Sequence, residues 1–146
     1  MKTLILFALL HLSICSFCQQ ETHYSCKGNG TIDCEVLKDG KVKFSGTSDN
    51  KKIKITIKET HGSHKEGELK FGKEKYRLTK KIIDTTINDI SKKSYVAIDQ
   101  NGTEWSLFFG IYIDRNSRLK LIDYYEIILV DPKTAKGKRC RCFPQH

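Results

Sequence analysis

The segment Lys51-Lys-Ile-Lys-Ile-Thr-Ile-Lys58 alternates without a slip: Ile53, Ile55 and Ile57 take every second position, and Lys52, Lys54, Thr56 and Lys58 stand between and around them. A period of two sends successive side chains to opposite faces of an extended chain and does not fit the 3.6-residue repeat of a helix. The segment therefore predicts a strand with an apolar face toward a core and a lysine face toward water.

Turn signals divide the rest of the chain into similar pieces. Residues 95–130 hold the only tryptophan and the densest apolar run beyond the N-terminus. Within them Asn101-Gly102 suits a two-residue type I′ turn, which would face Ile98 with Trp105, Val96 with Leu107 and Tyr95 with Phe108. Asp39-Gly40 gives a second hairpin, with Leu37 facing Val42. Gly72-Lys73-Glu74 gives a third, with Leu69, Phe71, Tyr76 and Leu78 inward and Lys70, Lys75 and Arg77 outward. Ile83, Ile87 and Ile90 break the alternation and recur at helical spacing behind Asp84, so one short helix near 84–92, or an ordered loop, is expected there. The pattern slips at Ile122-Asp123, where a bulge or bend is expected, and residues 124–130 are apolar on both faces, as in a central strand that Pro132 ends. Residues 19–31 read as polar and irregular, and residues 133–146 as a basic tail held by its two cysteines.

About eight short, evenly spaced strands joined by tight turns describe an all-β, single-domain antiparallel meander, folded as a small barrel or a two-sheet sandwich. The barrel is favoured because nearly every turn is a local hairpin.

The N-terminus sets the compartment. Met1-Lys2 is followed by an apolar run of about 10 residues, the length of a signal-peptide core and too short to cross a bilayer. Ser16 and Cys18 are small residues at the positions that cleavage reads, so residues 1–18 are expected to leave as a signal peptide and 19–146 to form a secreted domain. A cut after Ser16 is the competing site and would leave Cys18 as an odd thiol. No second apolar run approaches membrane length.

Four cysteines then remain, Cys26, Cys34, Cys140 and Cys142, an even number that reads as two disulfides in a secreted chain. A Cys140–Cys142 bridge would close a strained ring around one residue, so both bridges are expected to join the N-terminal pair to the C-terminal pair, in either pairing. Their one-residue spacing also argues against a four-cysteine zinc site. Asn29-Gly-Thr and Asn101-Gly-Thr are glycosylation sequons at expected turns, consistent with a glycoprotein.

A secreted, meandering, disulfide-tied barrel of this size resembles the lipocalins in layout. The Gly-x-Trp signature of the first lipocalin strand is absent, Trp105 lying far along the chain behind Glu104, and no helix pattern precedes Cys140. The resemblance implies a carrier or scavenger of a small apolar ligand in a barrel cavity. Trp105, Phe108, Phe109, Tyr112 and Tyr124 would line that cavity or, filling the interior, form a packed core.

Catalytic signals are weak. The histidines of the mature chain, His23, His61, His64 and His146, stand in no acid–base or nucleophile motif. His61 and His64 with Glu59 or Glu66 would make a metal set, but two histidines in a Gly-Ser turn are ordinarily solvated, and no metal or cofactor is expected. A small basic secreted hydrolase such as a pancreatic-type ribonuclease is the enzyme alternative, and that family's Cys-Lys-x-x-Asn-Thr-Phe segment and larger cysteine set are missing.

Charge is more informative. The whole chain carries +9, and the expected signal peptide removes only Lys2. Between residues 41 and 81, 13 basic residues stand against 5 acidic ones. Lys41, Lys43, Lys52, Lys54, Lys58, Lys70, Lys75 and Arg77 all fall at outward positions and are expected to form one basic sheet face. Such a face draws an extracellular acidic protein or a polyanion such as a glycosaminoglycan, although lysines also serve simply to keep an outer face solvated. Lysine rather than arginine predominates and few aromatics interleave, which argues against nucleic-acid binding by base stacking. The sequence thus points to a secreted, non-enzymatic binding protein.

Overall fold

The computed structural model describes residues 21–45, 51–60, 67–116, 118–119 and 121–144. The expected signal peptide and His61, His64 and His146 lie outside the described residues. Ten strands follow one another: β1 Glu21–Gly28, β2 Ile32–Val36, β3 Val42–Ser45, β4 Ile53–Thr60, β5 Gly67–Phe71, β6 Glu74–Ile87, β7 Ile90–Ile98, β8 Glu104–Ile113, β9 Ile122–Val130 and β10 Lys136–Pro144. All pairings are antiparallel. The order β1-β4-β5-β6-β7-β8-β9-β10 closes on itself because β10 also pairs with β1, giving an eight-stranded barrel. The β2–β3 hairpin branches from the first half of β10, where Cys34 stands opposite Gly137.

The period-two reading of 51–58 holds, for Ile55 and Ile57 are buried inside the barrel and Ile53 packs against them. The Gly72-Lys73 hairpin also holds. Leu69, Phe71, Tyr76 and Leu78 point in and Lys70, Lys75 and Arg77 are exposed. The expected bulge is present at Asp123, since Tyr112 pairs with Tyr124 and Ile113 with Ile122.

Several expectations are corrected. The N-terminal segment is not irregular: it is β1, the basic tail is β10, and the pairing of the two strands closes the barrel. Their alternation is hidden because the inward positions carry Tyr24, Cys26 and Gly28 on one strand and Cys140 and Cys142 on the other, rather than aliphatic residues. Residues 84–92 form no helix. They are the end of β6, a turn at Asn88-Asp89 and the start of β7. Both turn residues have positive φ (50° and 62°), the type I′ geometry that Asn and Asp tolerate, and the isoleucines 83, 87 and 90 are strand residues beside it.

Two hairpins are shifted by one residue from the expected register. Ala97, not Ile98, faces Trp105; Ser106 faces Val96; and Leu107 faces Tyr95. Likewise Val36, not Leu37, faces Val42. In each, only the glycine is left-handed (Gly102 φ 80°, Gly40 φ 80°), so the loop is a type I turn followed by a glycine bulge rather than a two-residue type I′ turn. The Asp99 carboxylate fixes the longer loop by accepting from the backbone N–H of Asn101 and Thr103 and from Trp105 Nε1.

One disulfide, Cys26–Cys142, ties the ends of the chain. The second expected bridge is not formed: Cys34 and Cys140 are both buried and are not joined. Cys34 lies opposite Gly137, and Cys140 is an odd number of residues further along β10, so the two side chains leave opposite faces of the sheet.

Candidate functional site

The outer wall of β1, β4, β5 and β6 gathers most of the basic residues singled out in the sequence. Because the isoleucines of β4 face the core, Lys54 and Lys58 must face water, and the neighbouring strands place further cations beside them. Lys27 stands directly opposite Lys54, Lys70 opposite Lys75, and the row Lys58, Glu68, Arg77 runs across β4, β5 and β6. Glu21 neutralises Lys58 at 2.8 Å and Glu68 lies 3.4 Å from Lys70. That carboxylate pairing lowers the Glu21 pKa. Lys27, Lys52, Lys54, Lys75 and Arg77 have no ion-pair partner among the described residues. Like charges directly opposite on adjacent strands repel, so the Lys27/Lys54 and Lys70/Lys75 pairs act against folding rather than for it. Lys41 and Lys43 do not join this wall. Lys43 sits on β3, at the far end of the strand order, and Lys41, in the turn before it, pairs with Asp39 at 3.1 Å.

The mouth of the barrel beside this wall is a cup of about 490 Å³. Phe71, Tyr76, Trp105 and Leu129 form its floor, with Lys73, Lys75, Lys136 and Lys138 and the acids Asp33, Glu74, Asp99 and Asp131 around it. Burial, and then the hydrogen bond donated to Glu74 at 2.8 Å, push the Tyr76 phenol well above its ordinary value. Asp99 and Asp131 are occupied by donors of their own turns.

Below the cup the barrel is filled. Leu107, Phe109, Tyr125 and Ile127 occupy the axis, with Tyr24 edge-on to Phe109 at 5.1 Å between centroids. The five aromatic residues expected inside are divided. Phe109 is in the core and Trp105 at the mouth, whereas Phe108, Tyr112 and Tyr124 are on the outer wall, the last two stacked at 4.4 Å. For the residues of β8 the one-residue register shift decides which point inward, because it exchanges the two faces of that strand.

The interior also holds an ion pair that the sequence reading missed. Glu59 is 2% exposed, and Lys93 Nζ reaches both of its oxygens at 3.0 and 2.8 Å. Tyr95 donates its hydroxyl to the same carboxylate, and Lys93 also reaches Tyr24 Oη at 3.4 Å. Burial acts to lower the Lys93 pKa, but the Glu59 hydrogen bonds and charge outweigh it, and the ammonium titrates above its usual range. Burial followed by Glu59 raises the Tyr95 phenol. The Ile53-Ile55-Ile57 period extends to position 59, which signals an inward carboxylate; nothing comparable marks Lys93.

Asn29 and Asn101, the sequon residues, are both exposed. His23 is exposed on β1 with Nε2 3.3 Å from Glu21, and no group of three potential metal ligands occurs among the described residues. No protein-family model, curated protein or solved structure matches the chain.

Proposed function

We propose that this chain is a secreted, non-enzymatic binding protein that takes an extracellular polyanion, a glycosaminoglycan or an acidic protein surface, on the outer wall of β1, β4, β5 and β6. The observation that carries the reading is the pair of lysine–lysine oppositions, Lys27 with Lys54 and Lys70 with Lys75, on neighbouring strand pairs of one wall. Solvation alone is served as well by alternating signs, and like-charge registers cost stability that an anionic partner removes on binding. The closed barrel and the Cys26–Cys142 bridge support the reading by giving the wall a rigid frame in an oxidising compartment.

Heparin chromatography tests it. Lys27, Lys54, Lys70 and Lys75, replaced together by Gln, keep the strand pattern while removing four charges. This variant should elute at clearly lower salt than the parent, with circular dichroism and melting retained. Replacing Lys41 and Lys43 by Gln should shift elution much less. Equal shifts, or none for the fourfold variant, would show that the wall is a solvated surface only.

A further inference from the structure

A cleft of about 440 Å³ lies on the outer face of β6 to β9, beside the β2–β3 hairpin. Its floor follows from strand register. One outward row across β6 to β10 reads Ile83, Ser94, Phe108, Ile128, Arg139, and the next reads Thr85, Lys92, Gly110, Glu126, Arg141. The β2–β3 hairpin supplies a second apolar wall through Val36 and Val42. Phe108 is 41% exposed in the middle of this floor, where an outer barrel face is ordinarily polar.

The charges around the cleft are unequal in what they leave available. Glu126, its acid, accepts from Arg139 Nε at 2.7 Å, from Arg139 Nη2 and from Tyr112 Oη at 3.1 Å, and Arg141 lies 3.9 Å away. Lys92 has no acid within ion-pairing distance among the described residues. At Gly110, between them, an added Cβ would meet the Tyr112 ring at 2.9 Å, so that ring closes the end of the cleft. An apolar floor with one uncommitted cation at its side is complementary to a single negative head on an aliphatic body. Its volume is that of a small-molecule site.

We propose that this cleft binds an amphiphilic monoanion, an acyl chain bearing one acidic head, with the chain on Phe108 and Ile128 and the head at Lys92. Such a ligand arises as a free fatty acid or as an anionic single-chain lipid. The test is calorimetric titration of the full mature chain with decanoate below its micellar concentration, with decanol and lysophosphatidylglycerol, a single-chain lipid with one negative charge, as parallel arms. Decanoate should bind one per chain. Lys92→Gln should weaken decanoate roughly twofold to fivefold, the range of a partly exposed ion pair, and leave decanol unchanged. Phe108→Asp should abolish binding of both, and Ile128→Gln should weaken both, while melting and heparin elution stay as in the parent. Tighter, Lys92-dependent binding of lysophosphatidylglycerol would assign the lipid source; tighter decanoate would assign the free acid. Absence of binding in every arm, an unchanged decanoate affinity in Lys92→Gln, or retained affinity in folded Phe108→Asp would overturn the proposal. So would sedimentation showing that the parent is a dimer that Phe108→Asp dissociates, because the cleft would then be covered by a second copy.

Discussion

Lys93 Nζ lies 2.8 Å from Glu59 Oε2 inside the barrel, and the two residues come from β4 and β7, strands that do not pair with each other. The bond therefore spans the interior rather than running along one wall. With Glu59 2% and the Lys93 side chain 11% exposed, removal of one partner strands a buried charge. Lys93→Met is expected to cost about 3–5 kcal/mol in denaturant unfolding. Glu59→Gln combined with Lys93→Met should lose less than the sum of the single variants, because no charge is left unpaired. Additive losses would show that the pair is not coupled. The folded pKa of Lys93 is raised, so this stabilisation is complete below the ordinary lysine value of 10.5 and is lost only as pH rises through the higher folded value.

The Cys26–Cys142 bridge spans 116 residues of sequence. It joins the two strands whose pairing closes the barrel, so it acts on the step with the largest loop-closure entropy. The chain-entropy account gives on the order of 4–5 kcal/mol for a loop of this length. Replacing both Cys26 and Cys142 by Ala should lower stability by about that amount, whereas Cys34→Ala, which breaks no bridge, should cost far less. Peptide mapping of the unreduced protein should recover Cys26 linked to Cys142; a Cys26–Cys34 link would contradict the strand order itself.

What the sequence made legible was periodicity. The inward face of β4, the third hairpin at Gly72 and the bulge at Asp123 follow from alternation, which survives in the one-letter string. Register was less legible. Asn101-Gly102 and Asp39-Gly40 suit two turn geometries that differ by one residue, and the choice goes with the single left-handed glycine in each and with hydrogen bonds to a loop carboxylate, Asp99 in the first and Asp39 in the second. Because a one-residue step exchanges the two faces, that choice moved Phe108 out of the core and into the cleft floor. Strand order was not legible at all. It separates Lys41 and Lys43 from the other lysines, brings Lys27 into their wall and sets Lys93 against Glu59, and none of these follows from local spacing.

Asp99 selects the register of the central hairpin. Its carboxylate accepts from the Thr103 and Asn101 backbone and from the indole of Trp105, and these donors hold its pKa below the ordinary 3.8. A depressed folded pKa means that its contribution is present above the unfolded value and is lost as pH falls through the folded one. Asp99→Asn should therefore melt below the parent at neutral pH, and the difference should shrink as pH falls below the ordinary 3.8 and through the lowered folded value. Glu21 and Asp39 also have lowered pKa values, but they are present in both proteins and cancel in the difference. Trp105 is the only tryptophan, so its emission followed through the same acid titration reports this hairpin directly. A melting difference that does not shrink at any pH in the acid titration that leaves both proteins folded would assign the effect of the substitution to side-chain shape, and the register would then rest on Gly102 alone.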